Sequence, residues 1–512
     1  MQYCPPPLLV SLHSHATLEF KINDFSLLCD PWIDGLAFFG AWRHYPQPQI
    51  SSKDLSPNAI FISHEHSDHF HPQTLSNFAK DTPIYIPQFV NQRLEKRLDL
   101  LGFTNIISLP FGQSVQINKD IQITLYEPIS LWNDSQILID IAGFKILNIN
   151  DAGINHSIAS KVGSIDCVCA AFSPGASGYP ATFTHLSLDE KICFYQKSRV
   201  SLLDMLLEAC KMYNARYFLP FASHFVLNHP KHLKYMKMLR KNTIFDCVEK
   251  IENPDIKVID LLPGDSWDVG SDEIIKIPRT QDLYTQEHIE EYIQNQFRQD
   301  EFLSFYPNKH KYRFDRKKCL QYFENLNFVP EISLCENLSV SVYPDFENTN
   351  AFSFVVDNGV KILDSLIENP NLSIKIPSEI LMYIVVHNES WDEATIGYWC
   401  EFSRNPDVYH AEFWRLLQAP FYLKHSSIGK YESTLITPST PLCFILENLG
   451  EVGSKILARY GLYCLSCSKL PMESLQNAIQ AHGISTVRSQ RLLKELNIHF
   501  ISKSLETKSL MH

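Results

Sequence analysis

Along the first part of the chain, apolar runs of strand length alternate with polar stretches punctuated by Gly and Pro. Leu8 to Ile22 and Ser26 to Leu28 predict two short strands joined at Asn23-Asp24 and leading into Asp30-Pro-Trp32. His13 and His15 fall on the first of these with a period of two, which puts both on one side of an extended strand. Residues 33–57 read as a loop, and Ala59 to Ile62 as a short buried strand. Pro72 to Lys80 suits a helix, Pro83 to Pro87 a strand and Val90 to Leu101 another helix, the alternation of a layered α/β fold. Strands follow near Ile106 to Leu109, Ser114 to Ile117, Ile121 to Tyr126, Ser135 to Ile141, Phe144 to Ile149 and Cys167 to Phe172. Leu186 to Met212 is helical in pattern, and Tyr217 to Phe221 makes a last strand.

Beyond Pro263-Gly-Asp265 the pattern changes. Thr285 to Leu303 predicts one helix, opened by an imperfect capping box at Thr285-x-x-His288 and carrying Ile289, Ile293 and Phe297 at a spacing of four. Leu338 to Tyr343 and Ala351 to Ile362 alternate as strands around Asp345 to Asn350, and Trp391 to Phe402 returns to helix. This stretch reads as a small α+β domain that walls a cleft. Pro438 to Pro441 marks a linker, after which Gly453 to Cys467, Met472 to Gly483 and Ser489 to Leu496 suggest three short helices. The predicted domains are therefore residues 1–275, 276–437 and 442–500.

Length and composition fit this division. A chain of 512 residues exceeds what one hydrophobic core organises. A formal charge of −12 and a pI near 5.9 argue against a general nucleic-acid binder, and the basic stretch Lys309 to Lys318 reads as a solvated helix start. No apolar run approaches the roughly 18 residues that cross a bilayer, so no membrane partner is expected. The first ten residues lack a signal-like charge and apolar pattern, and the 13 scattered cysteines read as reduced thiols; both point to the cytoplasm.

The chemistry gathers where one apolar run stops. In Asn58-Ala-Ile-Phe-Ile-Ser-His-Glu-His-Ser-Asp-His69, the strand runs into His64, His66, Asp68 and His69, four potential ligands within six residues. Two imidazoles two residues apart can grip one cation while Asp68 and His69 turn to a second, a donor set suited to zinc or iron.

This motif resembles the first metal-binding motif of the metallo-β-lactamase fold superfamily. Leu27 to Trp32, Gly143 to Asp151, Gly175 to Phe183 and Phe218 to Pro230 resemble segments of the CMP-N-acetylneuraminate hydroxylase family in the same order. Trp391 to Gly397 and Arg404 to His410 with Phe413-Trp414 extend the likeness, which spans roughly residues 7–420. The resemblance implies an αβ/βα sandwich followed by an α+β extension and a small C-terminal helical domain. It also implies a dinuclear centre, iron favoured and zinc possible, in which Asp68 and Asp151 carry the catalytic roles.

Asp151, at the end of a predicted strand, is the expected bridging carboxylate. Ser130 stands where these hydroxylases carry a histidine, and Glu127 is the candidate replacement, with a solvated loop acid as the alternative. A late histidine normally completes the second metal, and His224 and His229 are both candidates. Related folds place a histidine near the cleft at the position of His13 or His15, for which a supporting or structural role is expected.

The C-terminal stretch resembles a redox-disulfide domain found beside hybrid-cluster proteins, by its Cys464-x-x-Cys467 after Tyr-Gly-Leu and its Ala481-His482-Gly483. Such a thiol pair can cycle through a disulfide; a structural zinc and inert packing are the alternatives. The Rieske segment that opens the hydroxylases is not found, since no Cys-x-His or Cys-x-x-His occurs. Electrons would then come from a donor protein or a thiol reductant, with a small polar substrate such as an amino-sugar. Two readings follow, an iron oxygenase or a zinc hydrolase of an ester, amide or phosphodiester; a redox-linked scaffold without activity is a third.

Overall fold

The computed structural model of the chain describes residues 7–89, 93–128, 133–175, 177–279, 283–329, 331–332, 335, 337–357, 359–423, 436, 438, 440, 442–462 and 475–509. Ser130, Cys464 and Cys467 lie outside the described residues. Contacts divide the chain into two compact units, one of residues 1–312 with Asp392–Phe402 and one of 313–391 with 403–512. The expected boundaries near 275 and 437 do not coincide with these.

The first unit is the layered α/β sandwich. One sheet runs in the order Glu273–Ile275, Ser266–Asp268, Leu8–Leu12, Leu18–Ile22, Phe25–Cys29, Ala59–Phe61, Ile84–Pro87 and Ile106–Leu109. The other runs Lys257–Val258, Tyr217–Phe221, Cys167–Ala171, Phe144–Asn150, Gln136–Ile141, Ile121–Tyr126 and Ser114–Gln116. Alternate side chains of one strand enter different cores, because successive residues of a strand point to opposite faces. Leu27, Cys29, Ala59 and Phe61 meet Ile123, Ile139 and Cys169 of the other sheet between the layers. Leu28, Ile60 and Ile62 face outward onto Leu75, Leu94 and Leu98 of the flanking helices Pro72–Leu75 and Arg93–Leu100. On the opposite outer face, Leu147, Val168 and Phe218 pack on Leu203, Leu206 and Cys247 of helices Leu188–Met212 and Ile244–Ile251. Strands buried on both faces explain why so many read as unbroken apolar runs.

The run Leu8 to Ile22, expected as one strand, is two antiparallel strands, Leu8–Leu12 and Leu18–Ile22. The amide of His13 donates to the Thr17 carbonyl at 2.9 Å and closes a turn between them. The helix expected over 285–303 is two, Gln286–Gln296 and Gln299–Phe305, broken where Phe297 and Arg298 turn extended at ψ of 124° and 121°. Only Asp392–Thr395 of the expected 391–402 helix is helical, since Tyr398 takes φ of 60° and Glu401–Arg404 is a strand.

In the second unit, Leu338–Pro344 pairs antiparallel with Phe352–Val356 and parallel with Leu372–Ile376, beside helices Arg316–Asn325 and Ser378–His387. The C-terminal helices Leu442–Arg459, Leu475–Ala481 and Thr486–Ser509 share a small core of Ile445, Ile456, Leu475, Leu492 and Leu496. Among the described residues, no helix is long and apolar enough to cross a membrane.

Candidate metal centre

The ends of three neighbouring strands set the site. Ala59–Phe61 pairs in parallel with Phe25–Cys29 and with Ile84–Pro87, so Asp30 and the His64–His69 loop leave the same edge of the sheet. The amides of His69 and Phe70 donate to the His66 carbonyl at 2.9 and 2.8 Å, folding the loop back on itself. In the second sheet, Phe144–Asn150 ends at Asp151, and the antiparallel strand Gln136–Ile141 begins beside it, which brings Asp134 to the same edge.

Two sets of donors converge there. Ligand atoms of His64, His66 and Asp151 lie within 4.8 Å of one another, and so do those of His15, Asp68 and His69. Within the first set, His64 Nε2 faces His66 Nδ1 at 2.8 Å. Within the second, Asp68 Oδ2 lies 3.2 Å from His15 Nε2 and 3.4 Å from His69 Nε2. His69 Nε2 also stands 3.8 Å from Asp151 Oδ2, so the two sets adjoin through Asp151.

Each imidazole of the loop has a carboxylate against its other nitrogen. His64 Nδ1 lies 3.3 Å from Asp134 Oδ1 and 2.9 Å from Ser63 Oγ. His66 Nε2 lies 3.3 Å from Asp392 Oδ2, and His69 Nδ1 3.2 Å from Asp30 Oδ2. Asp30 is fully buried and also accepts from the Ser63 amide and hydroxyl and from Asn150 Nδ2, at 2.7, 2.9 and 3.0 Å. A carboxylate in that position fixes the tautomer and aim of a metal-binding histidine.

The electrostatics follow from this crowding. Burial pulls His15 and His64 down and keeps them neutral, the form that can donate to a cation. Burial also opposes protonation of His66, but the hydrogen bond and charge of Asp392, with Asp68 and Asp151, raise it to about 9. Despite burial, His69 and His15 hold the Asp68 carboxyl well below its usual range. Asp134 is pushed up by burial and by the neighbouring charge of Asp151.

The expected residues do not all meet. His64, His66, Asp68, His69 and Asp151 do. Glu127 is exposed, its carbonyl accepting from Asn155 Nδ2 at 2.9 Å, and it joins neither set. His224 is buried against Phe172, with ring centroids 5.5 Å apart, outside both sets. His229 caps the turn at Pro230, accepting from the Lys231 amide, with its ring against Phe302 and Trp399. His15, expected in a supporting role, lies inside a donor set, whereas His13 turns to Glu19 at 2.9 Å. Asp30, Asp134 and Asp392 were not singled out from sequence, although Asp30 and Asp392 fall within the hydroxylase-like segments.

The donors suit a borderline cation, four imidazoles and two carboxylates with no thiolate. Asp68 Oδ1 is buried with no hydrogen-bond partner among the described residues, as expected of an atom that serves something other than the protein. Residues 26–172 match the family described as Beta-lactamase superfamily domain. The chain carries a beta-lactamase superfamily domain. This domain contains Asp30, the His64–His69 loop, Asp134 and Asp151, while His15 and Asp392 come from outside it.

Similarity extends beyond the beta-lactamase superfamily domain. Over 440 residues, 79% of this chain and 83% of the relative, it is 28% identical to the Homo sapiens protein named inactive cytidine monophosphate-N-acetylneuraminic acid hydroxylase. Over 444 residues, 79% and 74% of the two chains, it is 28% identical to the cytidine monophosphate-N-acetylneuraminic acid hydroxylase of Cricetulus griseus. Among solved structures, CmlA, a diiron beta-hydroxylase from Streptomyces venezuelae, matches at 15% identity and a TM-score of 0.36, covering 52% of this chain and 55% of that one. An isothiocyanate hydrolase from Delia radicum gut bacteria matches at 14% identity and a TM-score of 0.35, covering 50% and 98%. At these TM-scores neither structure bears on activity.

Proposed function

We propose that the chain is a metal-dependent oxidoreductase of the hydroxylase type, acting on an amino-sugar, nucleotide-sugar or related small polar substrate. The observation that carries this is the reach of the likeness: about 440 residues match the hydroxylases, whereas the beta-lactamase superfamily domain occupies only residues 26–172. A shared metal fold alone does not account for that extent.

In this reading His64, His66 and Asp151 would hold one transition-metal ion, and His15, Asp68 and His69 would hold another. With cations bound, Asp134, Asp392 and Asp30 would accept the proton on the outward nitrogen of each loop imidazole and leave the inward lone pair to the metal. Bound iron would supply redox chemistry with oxygen, and bound zinc only Lewis acidity and a water of lowered pKa. Glu127, exposed and outside both sets, takes no part in this reading, and His15 does. Cys464 and Cys467 relay electrons from a thiol reductant or a donor protein.

The donor chemistry also accommodates a zinc hydrolase, because imidazole and carboxylate serve zinc as readily as iron. Anaerobic purification followed by metal analysis and an oxygen-uptake assay with CMP-amino-sugars separates the two. The oxygenase reading expects about two iron ions per chain, oxygen uptake that needs a reductant and falls in a Cys464→Ser variant, and metal content reduced by His66→Ala and by Asp151→Ala. Turnover under strict exclusion of oxygen with zinc as the only metal would establish the hydrolase instead.

A further inference from the structure

The segment Asp392–Phe402 belongs to the first unit although the chain on either side of it belongs to the second. It is held at several independent points. Trp42 Nε1 donates to the Ile396 carbonyl at 3.1 Å, and Trp399 Nε1 to the Phe38 carbonyl at 3.0 Å. Tyr398 Oη donates to the carbonyls of Gly175 and Ser177 at 2.9 and 3.0 Å. The Phe402 amide donates to the Thr182 carbonyl at 3.0 Å, and the Thr184 amide to the Phe402 carbonyl at 2.7 Å. The Glu393 carboxylate accepts from Ser67 Oγ at 3.0 Å, and Ser67 Oγ in turn accepts from the Phe38 amide at 2.8 Å. The backbone of this strap is therefore fixed without help from the Asp392 side chain.

We propose that Asp392 is a positioning residue for the cation held by His64, His66 and Asp151, contributed from outside the beta-lactamase superfamily domain. The proposal rests on the reading that those three residues bind a metal. A carboxylate only accepts, so the imidazole nitrogen facing it carries the proton. With Asp392 Oδ2 at 3.3 Å from Nε2 of His66, the neutral imidazole that a cation would bind keeps its proton on Nε2 and its lone pair on Nδ1. Nδ1 is the atom that faces His64 Nε2 at 2.8 Å, and two lone pairs must point into that space for both imidazoles to hold one ion.

The domain supplies the corresponding group for the other two loop imidazoles, Asp134 for His64 and Asp30 for His69. For His66 the carboxylate comes from 326 positions further along the chain. The pairing is also the most open of the three, with His66 27% and Asp392 21% exposed against 1% for His64 and for His69. Without Asp392, solvent reaches Nε2 and the imidazole can turn over to the other tautomer, so its Nδ1 donor is no longer guaranteed.

The test is a cobalt(II) titration of the full-length, metal-free chain, followed by visible absorption, with wild type, Asp392→Ala, Asp392→Glu and Tyr398→Phe. The proposal expects wild type to take up cobalt in two resolvable steps. It expects Asp392→Ala to weaken one step about 10–100-fold while the other keeps its affinity. Asp392→Glu should recover most of that loss, and Tyr398→Phe, which loosens the strap elsewhere, should titrate like wild type. The melting temperature of metal-free Asp392→Ala should stay within about 2 °C of wild type, because the strap has its other anchors. Wild-type affinity in both steps of Asp392→Ala overturns the proposal and leaves the metal reading standing. Equal loss in Tyr398→Phe, or no recovery in Asp392→Glu, also overturns it by making the role one of general packing. Failure of wild type to take up cobalt removes the metal reading itself and the proposal with it.

Discussion

An imidazole has one lone pair to give, and the nitrogen that carries it is decided by what stands against the other. That is why the placing of Asp30, Asp134 and Asp392 against the loop bears on which of its nitrogens can meet a cation. It is also why they could not be read from sequence. His64, His66, Asp68 and His69 are legible because their spacing is local, whereas a carboxylate acquires such a role only from what folding brings opposite it. His15 was obscured by a related effect: a period of two makes His13 and His15 equivalent on a strand, but the turn closed by His13 and Thr17 sends one to Glu19 and the other to Asp68. Away from the donors, His232 is almost wholly buried against Trp399, and burial, with His229 and Lys234 nearby, lowers its imidazole to about 3. Its folded pKa lies below the unfolded value of about 6.5, so between those limits the unfolded chain binds the extra proton and stability falls as pH falls. The size is at most about 1.4 kcal/mol for each pH unit in that window. His232→Phe should therefore lose less in melting temperature than wild type between pH 6.5 and 4, measured on metal-free protein. Identical slopes would remove His232 from the account.

At the scale of elements, the strands of the sandwich were readable because each is short, apolar and ended by a turn residue, and the bounds 121–126 and 217–221 coincide with those expected. Helices were less so. Pro72 to Lys80 shrinks to Pro72–Leu75, and the 391–402 stretch abandons helix after Thr395. The second departure has a steric cause. A Cβ on Gly397 would lie 2.5 Å from the Glu393 carbonyl oxygen, 2.8 Å from Trp399 Cδ1 and 2.9 Å from the Phe38 carbonyl oxygen. Two of those three atoms are backbone and cannot swing away. Gly397 thus allows the strap to approach the Phe38 loop, which the hydrogen bond from Trp399 then fastens. Gly397→Ala should cost about 1–3 kcal/mol, the usual range for overpacking a close-packed site, and should lower the melting temperature by several degrees. A differential-scanning measurement that finds the variant as stable as wild type contradicts this reading of the turn.

At the scale of the whole chain, sequence order and structural membership part company. The layered fold was foreseeable from alternating apolar runs, but the composition of the first unit was not, because nothing in residues 392–402 marks them as belonging with residues 1–312. Cooperative opening follows packing and hydrogen bonding, not adjacency along the chain. In hydrogen exchange on the intact protein, amides of 392–402 should therefore gain protection together with those of 59–69 when cobalt is added. The helix Ser378–His387, its close neighbour in sequence, should not respond. If 392–402 instead tracks 378–387 and ignores the cation, the strap is not part of the unit it joins here. The same arrangement sets a schedule for a growing polypeptide. Ribosomes add about 5–20 residues per second, and 326 positions separate His66 from Asp392. For roughly 16–65 s of synthesis the nascent loop presents His64 and His66 with nothing behind the second ring. Under the role proposed for Asp392, firm capture of the ion would wait until that residue has been added.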